Sequence, residues 1–171
     1  MLLQTLAPAA GLVLLLRFVL SVTRVKGRSM LPTLKNGDVL IVWRLLPFRR
    51  AFRRGDLVIC HYPGRYLLQG RYLRQCFVKR VVGLPGERLT LDHGQLLING
   101  RQTPQPYLDP RYAHGWGAKR TWLIGRNRYF VMGDHRDCSN DSRAVGAVYR
   151  TMMVGKVICV LHVPGPVSAW L

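Results

Sequence analysis

The stretch CFVKRVVGLPGERLTLD, residues 76–92, contains two short runs rich in apolar and β-branched residues, joined by the turn formers LPG. Runs of this length and composition, bounded by glycine and proline, are typical of paired strands. Similar runs lie on both sides of it at intervals that favour a mostly antiparallel β domain. We therefore predict a mainly β fold with strands at 38–43, 56–62, 76–82, 87–92, 95–100, 128–132 and 155–163.

The chain length and its turn formers indicate how the β-rich part is organised. A chain of 171 residues suits one domain with a substantial core, which we place at 24–171. Residues 101–127 contain Pro104, Pro106, Pro110, Gly115 and Gly117, a density that predicts a long loop or insertion.

The amino-terminal region differs in composition from the rest. Residues 6–22, LAPAAGLVLLLRFVLSV, form the only long apolar run, and about 17 residues is the lower limit for crossing a bilayer. We interpret residues 1–23 as a retained membrane anchor with one transmembrane helix, and a cleavable signal peptide is the alternative. Arg24, Lys26 and Arg28 follow the run, which by the positive-inside rule places the domain in the cytoplasm.

The chain is strongly basic, with 26 Lys and Arg against 8 Asp and Glu and a formal charge of +18. Such a charge attracts nucleic acid or an anionic membrane surface. The basic residues are scattered along the chain and no nucleic-acid-binding motif accompanies them. We therefore predict a lipid bilayer, and not nucleic acid, as a partner.

The four cysteines lack the spacing of a zinc site or a redox motif. We expect scattered thiols, no metal and no other cofactor. A bridge between Cys60 and Cys76 is left open for an oxidising compartment.

The segment VKGRSMLPTL, residues 25–34, predicts a turn that presents one hydroxyl. Gly27 permits a positive φ, and Pro32 holds Leu31 extended, so the backbone around Ser29 is constrained. Serine is a weak nucleophile unless a neighbouring base removes its proton. Ser29 is a candidate nucleophile only if the fold supplies such a base.

Lys79 is the candidate base, because it lies inside a predicted strand. Alternation places Phe77, Lys79 and Val81 on one face, so the amine has apolar neighbours. Desolvation disfavours the ammonium form and lowers the pKa of a buried lysine towards the working range of a general base. Arginine could not replace it, because arginine does not deprotonate in proteins.

The segment GDHRDCSNDSRAVG, residues 133–146, alternates hydroxyls with opposite charges. Asp141 and Arg143 can pair and brace the turn, while Ser139 or Ser142 could hydrogen-bond the amine of a neutral lysine and orient it. The segment is thus a candidate third part of the same site.

Taken together and in order, VKGRSMLPTL, RRGDLVICHYP, FVKRVVGLPGE and FVMGDHRDCSNDSRAVG resemble the successive boxes of type I signal peptidases, over about residues 21–163. The resemblance implies an antiparallel β catalytic core with an N-terminal transmembrane helix. It also implies that Ser29 is the nucleophile and Lys79 the general base, that Ser139 orients the lysine, and that Asp141 and Arg143 form a brace.

The resemblance further implies a serine endopeptidase that removes signal peptides at Ala-x-Ala type sites of secretory precursor proteins. We assign Met30 and Phe77 to substrate binding. The domain would face the outer side of the membrane; this contradicts the count of positive charges, and we follow the resemblance. Two positions depart from the family: Gly27 replaces a serine that helps the oxyanion hole in some members, and His135 replaces the usual asparagine. We assign His135 no catalytic role.

Several rival interpretations stay open at this point. A mitochondrial inner membrane peptidase and a conjugation-type protease have similar boxes, and residues 98–109, INGRQTPQPYLD, favour a bacterial enzyme by resemblance. Self-cleaving repressors have a DNA-binding helical domain where this chain has an apolar run. A basic membrane-surface binding protein without activity is the alternative from a different class.

Overall fold

The computed structural model describes residues 19–44, 51–62, 66–68, 71–73, 76–114 and 117–164. Within them short strands are the main regular structure, with one four-residue α-helix, α1, at Ser142–Val145, and three single-turn 3-10 helices at Pro110–Tyr112, Arg136–Cys138 and Arg150–Met152. The strands are β1 Leu20–Arg24, β2 Val39–Trp43, β3 Leu57–His61, β4 Tyr66–Leu68, β5 Arg71–Leu73, β6 Cys76–Gly83, β7 Arg88–Asp92, β8 Gln95–Ile98, β9 Arg101–Gln102, β10 Arg120–Leu123, β11 Arg128–Met132, β12 Val148–Tyr149 and β13 Met153–Leu161.

The strands pair antiparallel throughout the described residues. A seven-stranded sheet has the order β1-β2-β13-β3-β6-β11-β12, a four-stranded sheet the order β10-β7-β8-β9, and β4 pairs with β5. Each of the seven predicted strands has an observed counterpart, within two residues at either end. The predicted mainly β, antiparallel fold class is confirmed.

Three apolar clusters hold these sheets together. One fills the face of the large sheet that carries Val58, Val81 and Tyr129. A second joins the two larger sheets, since Leu89 and Leu96 of the small sheet pack with Phe130 of β11. The third lies under the turn between β1 and β2, around Met30 and Leu34. The last two clusters have direct consequences for the site, because they place β6 and that turn on a common framework.

The predicted anchor lies mostly outside the described residues, since the structure describes nothing before residue 19. At its carboxyl end the predicted anchor, 1–23, overlaps β1, where Leu20, Ser21 and Val22 pair with β2. A short apolar stretch can form a strand as well as a helix, and pairing with β2 makes these residues a strand. No helix among the described residues combines the length and apolar character needed to cross a bilayer.

Residues 101–127, which we predicted to be a long loop or insertion, contain two short strands, β9 and β10. β10 pairs with β7, where Thr121 and Thr90 join their hydroxyl oxygens at 2.9 Å. On the same strand the ring of Trp122 packs against that of Phe130, 5.0 Å away. The density of proline and glycine in the segment favoured a loop, whereas β10 forms by pairing with β7, which lies far earlier in the chain.

Gly83 offers a test of how tightly the two larger sheets are joined. A Cβ on Gly83 would collide with Ile124 and lie 3.0 Å from side-chain atoms of both Leu89 and Phe130. We expect Gly83→Ala to lower the free energy of unfolding by about 1–3 kcal/mol. Gly117→Ala is the control, because no atom lies within 4 Å of a Cβ there. Equal denaturation midpoints for the two variants would contradict this packing.

Candidate active site

Ser29 lies on the turn that connects β1 to β2. Val25 donates its N–H to Asp38 O at 2.8 Å, Gly37 donates to Val25 O at 2.9 Å, and these bonds close the base of the turn. Gly27 has a φ of 99°, which a side chain would disfavour, and its N–H bonds the side chain of Asn36 at 3.0 Å. The hydroxyl of Ser29 is therefore presented by a constrained backbone.

Lys79 lies in β6, where β3 pairs with it on one side. Its side chain is 2 % exposed, and its Nζ is 2.7 Å from the Oγ of Ser29, 50 residues earlier in the chain. Burial lowers the pKa of the amine below 10.5. The structure thus brings together the two residues that the sequence identified as nucleophile and base.

The environment of the amine also includes a buried thiol. Cys60 lies on β3, where it pairs with Phe77 of β6. Its side chain is fully buried, and burial raises the pKa of the thiol to about 12. The thiol is neutral near pH 7 and adds no anion beside Lys79. All four cysteines are free thiols, so Cys60 and Cys76 do not form a bridge.

Asp141 and Arg143 form the predicted pair. Arg143 Nε lies 2.8 Å from Asp141 Oδ1 and its second guanidinium nitrogen 2.9 Å from Oδ2, and both side chains are buried. Asp141 Oδ2 also accepts the N–H of Gly133 at 3.0 Å. The carboxylate is therefore saturated by an arginine and a backbone donor, which leaves it less able to hold Lys79 as an ammonium ion.

A second buried ion pair joins Arg80 to Asp134, with nitrogen–oxygen distances of 2.8 and 2.6 Å. Thr33, on the turn that carries Ser29, donates its hydroxyl to the same carboxylate at 2.5 Å. Sequence reasoning did not assign these residues. The signal was present in the arginine inside an apolar strand next to Lys79, since a buried arginine requires a buried acid.

The two ion pairs explain why the pKa of Lys79 is lowered although two carboxylates lie in its surroundings. Burial is the largest influence and lowers its pKa; the Asp141 carboxylate opposes it most strongly, and the Arg143 guanidinium adds to the lowering. Because each carboxylate is matched by an arginine, desolvation dominates. The site favours a neutral amine more than an isolated lysine would.

Ser139 and Ser142, the two candidates for orienting the lysine, have different partners. Ser139 donates its hydroxyl to Asp141 Oδ2 at 2.7 Å, while the hydroxyl of Ser142 accepts the N–H of Val131 at 3.0 Å in the core. A Cβ at Gly133 would collide with Ser139 and with the backbone oxygen of Ser29. Ser139 is thus packed beside the nucleophile turn, and its action on Lys79 stays a prediction.

A cleft of about 240 Å³ opens beside the hydroxyl of Ser29. Phe77 lines it, whereas Met30 is 1 % exposed and packs in the cluster beneath the turn. Of the two residues assigned to substrate binding, only Phe77 lines the cleft. Its other lining residues are Thr23, Arg24, Val25, Lys26, Leu40, Ile59, Cys76 and Val78.

An antiparallel β domain that holds a buried lysine amine against a serine hydroxyl, beside a cleft, has the arrangement of a serine hydrolase. The family model described as "Signal peptidase, peptidase S26" matches residues 1–162. The chain belongs to this signal peptidase family. Its activity is accordingly that of a hydrolase that removes signal peptides.

Individual relatives support the assignment. Signal peptidase I of Bacillus licheniformis is 35 % identical over 156 residues, covering 86 % of this chain and 80 % of the relative. Signal peptidase I of Leptolyngbya laminosa is 33 % identical over 141 residues, covering 82 % and 68 %. Probable signal peptidase I-1 of Synechocystis sp. is 32 % identical over 163 residues, covering 95 % and 80 %.

A crystal structure of a signal peptidase I from Enterococcus faecalis V583 has the same fold. The TM-score is 0.51 at 24 % identity, and the superposition covers 63 % of this chain and 97 % of that one. The predicted family and the β architecture are confirmed.

The lowered pKa of Lys79 has a consequence for stability. Between the folded pKa and that of the unfolded chain, near 10.5, the unfolded state binds more protons, so stability rises with pH. Lys79→Met removes this effect. We expect the variant to melt at least about 2 °C higher than the wild type at pH 7.

The difference between Lys79→Met and wild type should shrink as the pH approaches 10.5. Exposed Lys35 provides the control, since Lys35→Met should not show this pH dependence. Thermal denaturation across pH 6–10 measures both variants. A difference that stayed constant over this range would show that Lys79 keeps an ordinary pKa.

Proposed function

We propose that this protein is a membrane-bound serine endopeptidase that cleaves N-terminal signal peptides from secreted precursor proteins with a Ser29–Lys79 dyad. One observation carries the proposal: the amine of Lys79, 2 % exposed, lies 2.7 Å from the hydroxyl of Ser29 at the edge of a cleft. A buried amine next to a hydroxyl is the arrangement that activates serine without histidine.

In the first half of the reaction, neutral Lys79 accepts the proton of the Ser29 hydroxyl as the oxygen attacks the scissile carbonyl carbon. The carbon–oxygen π electrons move to the oxygen and form a tetrahedral oxyanion. Lys79 then gives its proton to the leaving amine, the carbon–nitrogen bond breaks, and the signal peptide stays attached to Ser29 as an ester. The distance of 2.7 Å allows the proton transfer between Ser29 and Lys79 without movement of the chain.

In the second half, Lys79 accepts a proton from a water molecule that attacks the ester carbon. The ester bond to Ser29 breaks, the hydroxyl takes the proton back from Lys79, and the signal peptide leaves with a new carboxyl terminus. Lys79 must be neutral at the start of both halves. The ion pair of Asp141 with Arg143 serves this need, because it occupies the carboxylate that most strongly raises the pKa of Lys79.

The oxyanion needs hydrogen-bond donors that lie in place before the reaction. Gly27 supplies no side chain there, so the backbone N–H of Ser29 carries a larger share of this stabilisation. Ser139 acts through Asp141, to whose Oδ2 it donates its hydroxyl at 2.7 Å. This bond holds the Asp141 carboxylate in place and so helps to orient Lys79.

The substrate would bind as an extended peptide along free strand edges. β1 is the outer strand of the large sheet, and β11 pairs with β6 only from Arg80 onward, so Cys76 to Lys79 have one edge open among the described residues. Both edges border the cleft, and a peptide could add to them by main-chain hydrogen bonds. Phe77 would contact its small side chains directly, and buried Met30 would support the floor.

The anchor would keep this site at the membrane surface. Residues 1–19, ahead of β1, would cross the bilayer once, with the catalytic domain on its outer face, and the net charge of +18 would draw the domain towards anionic lipid. Cleavage sites of secretory precursors emerge at this surface, so anchor and cleft would serve the same substrate.

The dyad is tested by three variants assayed on a secretory precursor in detergent. Ser29→Ala and Lys79→Ala should lower kcat/KM by at least about 10³-fold, because nucleophile and base act as a unit. Lys79→Arg should be equally inactive, since arginine keeps its charge and cannot accept the proton. Lys35→Ala, at an exposed lysine, should cleave like the wild type. Cleavage by Ser29→Ala at the wild-type rate would rule out this mechanism.

The orientation is tested separately by protease protection of the intact, membrane-inserted chain. With the domain on the outer face, protease added to that side should digest residues 24–164 without permeabilisation. Protection of the domain until the membrane is opened would place it in the cytoplasm and would leave the dyad without access to translocated precursors.

A further inference from the structure

His135 holds two successive carbonyl groups of the turn that carries Ser29. Its backbone N–H donates to Ser29 O at 3.1 Å, and its Nδ1 lies 3.2 Å from Arg28 O. A carbonyl oxygen can only accept, so Nδ1 carries the proton in this contact. His135 is thus hydrogen-bonded to the peptide groups on both sides of the Ser29 α-carbon.

The contact with Arg28 O has a consequence for the opposite side of the same peptide group. The Arg28–Ser29 bond is trans, and in a planar trans peptide the carbonyl and the N–H point in opposite directions. Arg28 O also accepts the N–H of Leu31 at 3.1 Å, so the contacts of Arg28 O with His135 and Leu31 together fix the direction of the Ser29 N–H. That N–H is the donor on which the proposed oxyanion site depends.

We propose that His135 is a positioning residue that aligns the Ser29 N–H for oxyanion stabilisation. This inference rests on the proposed function. His135 touches no reacting atom. The Oγ of Ser29 is hydrogen-bonded to Lys79, and His135 contacts the turn through the main-chain oxygens of Arg28 and Ser29. Its effect on the reaction passes through the orientation of one peptide group.

The His135 contacts add to two other restraints on the exposed part of the turn: the N–H of Leu31 also donates to Arg28 O at 3.1 Å, and Asn36 accepts the N–H of Gly27 at 3.0 Å. Lys26, Gly27 and Arg28 are all exposed, and Gly27 is the most mobile type of residue. With no side chain at Gly27 to share the oxyanion, a rotated Arg28–Ser29 peptide would leave the site without that donor. The clamp therefore matters more here than in a site with a second hydroxyl.

The imidazole is itself held by the segment that the sequence predicted as a loop. The ring of Tyr112 contacts that of His135 edge-on, with centroids 4.7 Å apart. Further along the same segment, Tyr107 covers the guanidinium of Arg80 at 4.0 Å and Gln105 bonds Arg136. Residues 105–112 thus form a backing for the loop that contains His135.

The test compares two substitutions of nearly equal size and shape. His135→Asn places an amide N–H where Nδ1 is now, and His135→Leu removes the donor. Each is assayed for kcat and KM on a precursor peptide, and for affinity towards a peptide aldehyde, with activity normalised to the folded fraction. Addition of the Ser29 oxygen to the aldehyde carbon turns its C=O oxygen into an oxyanion, while the hydroxyl proton passes to Lys79.

His135→Leu should lower kcat by about 10- to 100-fold, a smaller loss than deletion of an oxyanion donor causes. KM should change by less than about threefold. Its affinity for the aldehyde should fall by a similar factor. His135→Asn should stay within about threefold of the wild type in all three quantities. Exposed His93 supplies the control, since His93→Asn should change none of them.

Three results would overturn the inference: unchanged kcat in His135→Leu, equal losses in the Leu and Asn variants, or a loss confined to KM. If the Leu variant does not fold, His135→Asp replaces it, because its carboxylate is the size of the amide and repels Arg28 O. Inactivity of Ser29→Ala with full activity of His135→Leu would refute the clamp alone. Cleavage by Ser29→Ala would refute the proposed function instead.

Discussion

The contact of a buried amine with a hydroxyl, Lys79 Nζ to Ser29 Oγ at 2.7 Å, is the interaction on which the rest of the site depends. Lysine works as a base only when its ammonium form is disfavoured, and burial is what disfavours it here. The same burial lowers the free energy of unfolding at neutral pH. The packing of the surrounding sheet therefore has to contribute more stabilisation than it would with an apolar residue at this position. A base inside a strand of a rigid sheet meets that requirement better than one on a loop.

The buried ion pairs follow from this constraint. The chain has only eight acidic residues, yet Asp134 and Asp141 are both buried close to the base. Each is matched by an arginine, Arg80 and Arg143 respectively, which takes up its charge. The carboxylates can then tie loops together by hydrogen bonds to Thr33, Gly133 and Ser139 without holding Lys79 in its charged form. Structural bracing and the tuning of the base are in this sense one arrangement.

The contacts on the far side of Ser29 complement those of Lys79. Lys79 approaches the hydroxyl from β6, whereas His135 holds the main-chain oxygens of the same turn from the loop after β11. β6 and β11 are neighbours in the sheet, so Lys79 and His135 are held by adjacent strands. Residues 105–112 support that loop through Tyr112, which gives the segment between β9 and β10 a position close to Ser29 and Lys79.

The sequence by itself indicated seven of the strands, the family and the order of the boxes, because alternation, turn formers and motif spacing are local properties. It singled out Ser29 and Lys79, whose contact the structure then brought about. It did not reveal β10, the Arg80–Asp134 pair, or the contacts of His135 with the nucleophile turn. Met30 looked like part of the cleft from its place beside Ser29, and the turn directs it into the core. These features were decided by the tertiary structure, since each depends on which distant strands and loops are packed together, and no local pattern records that.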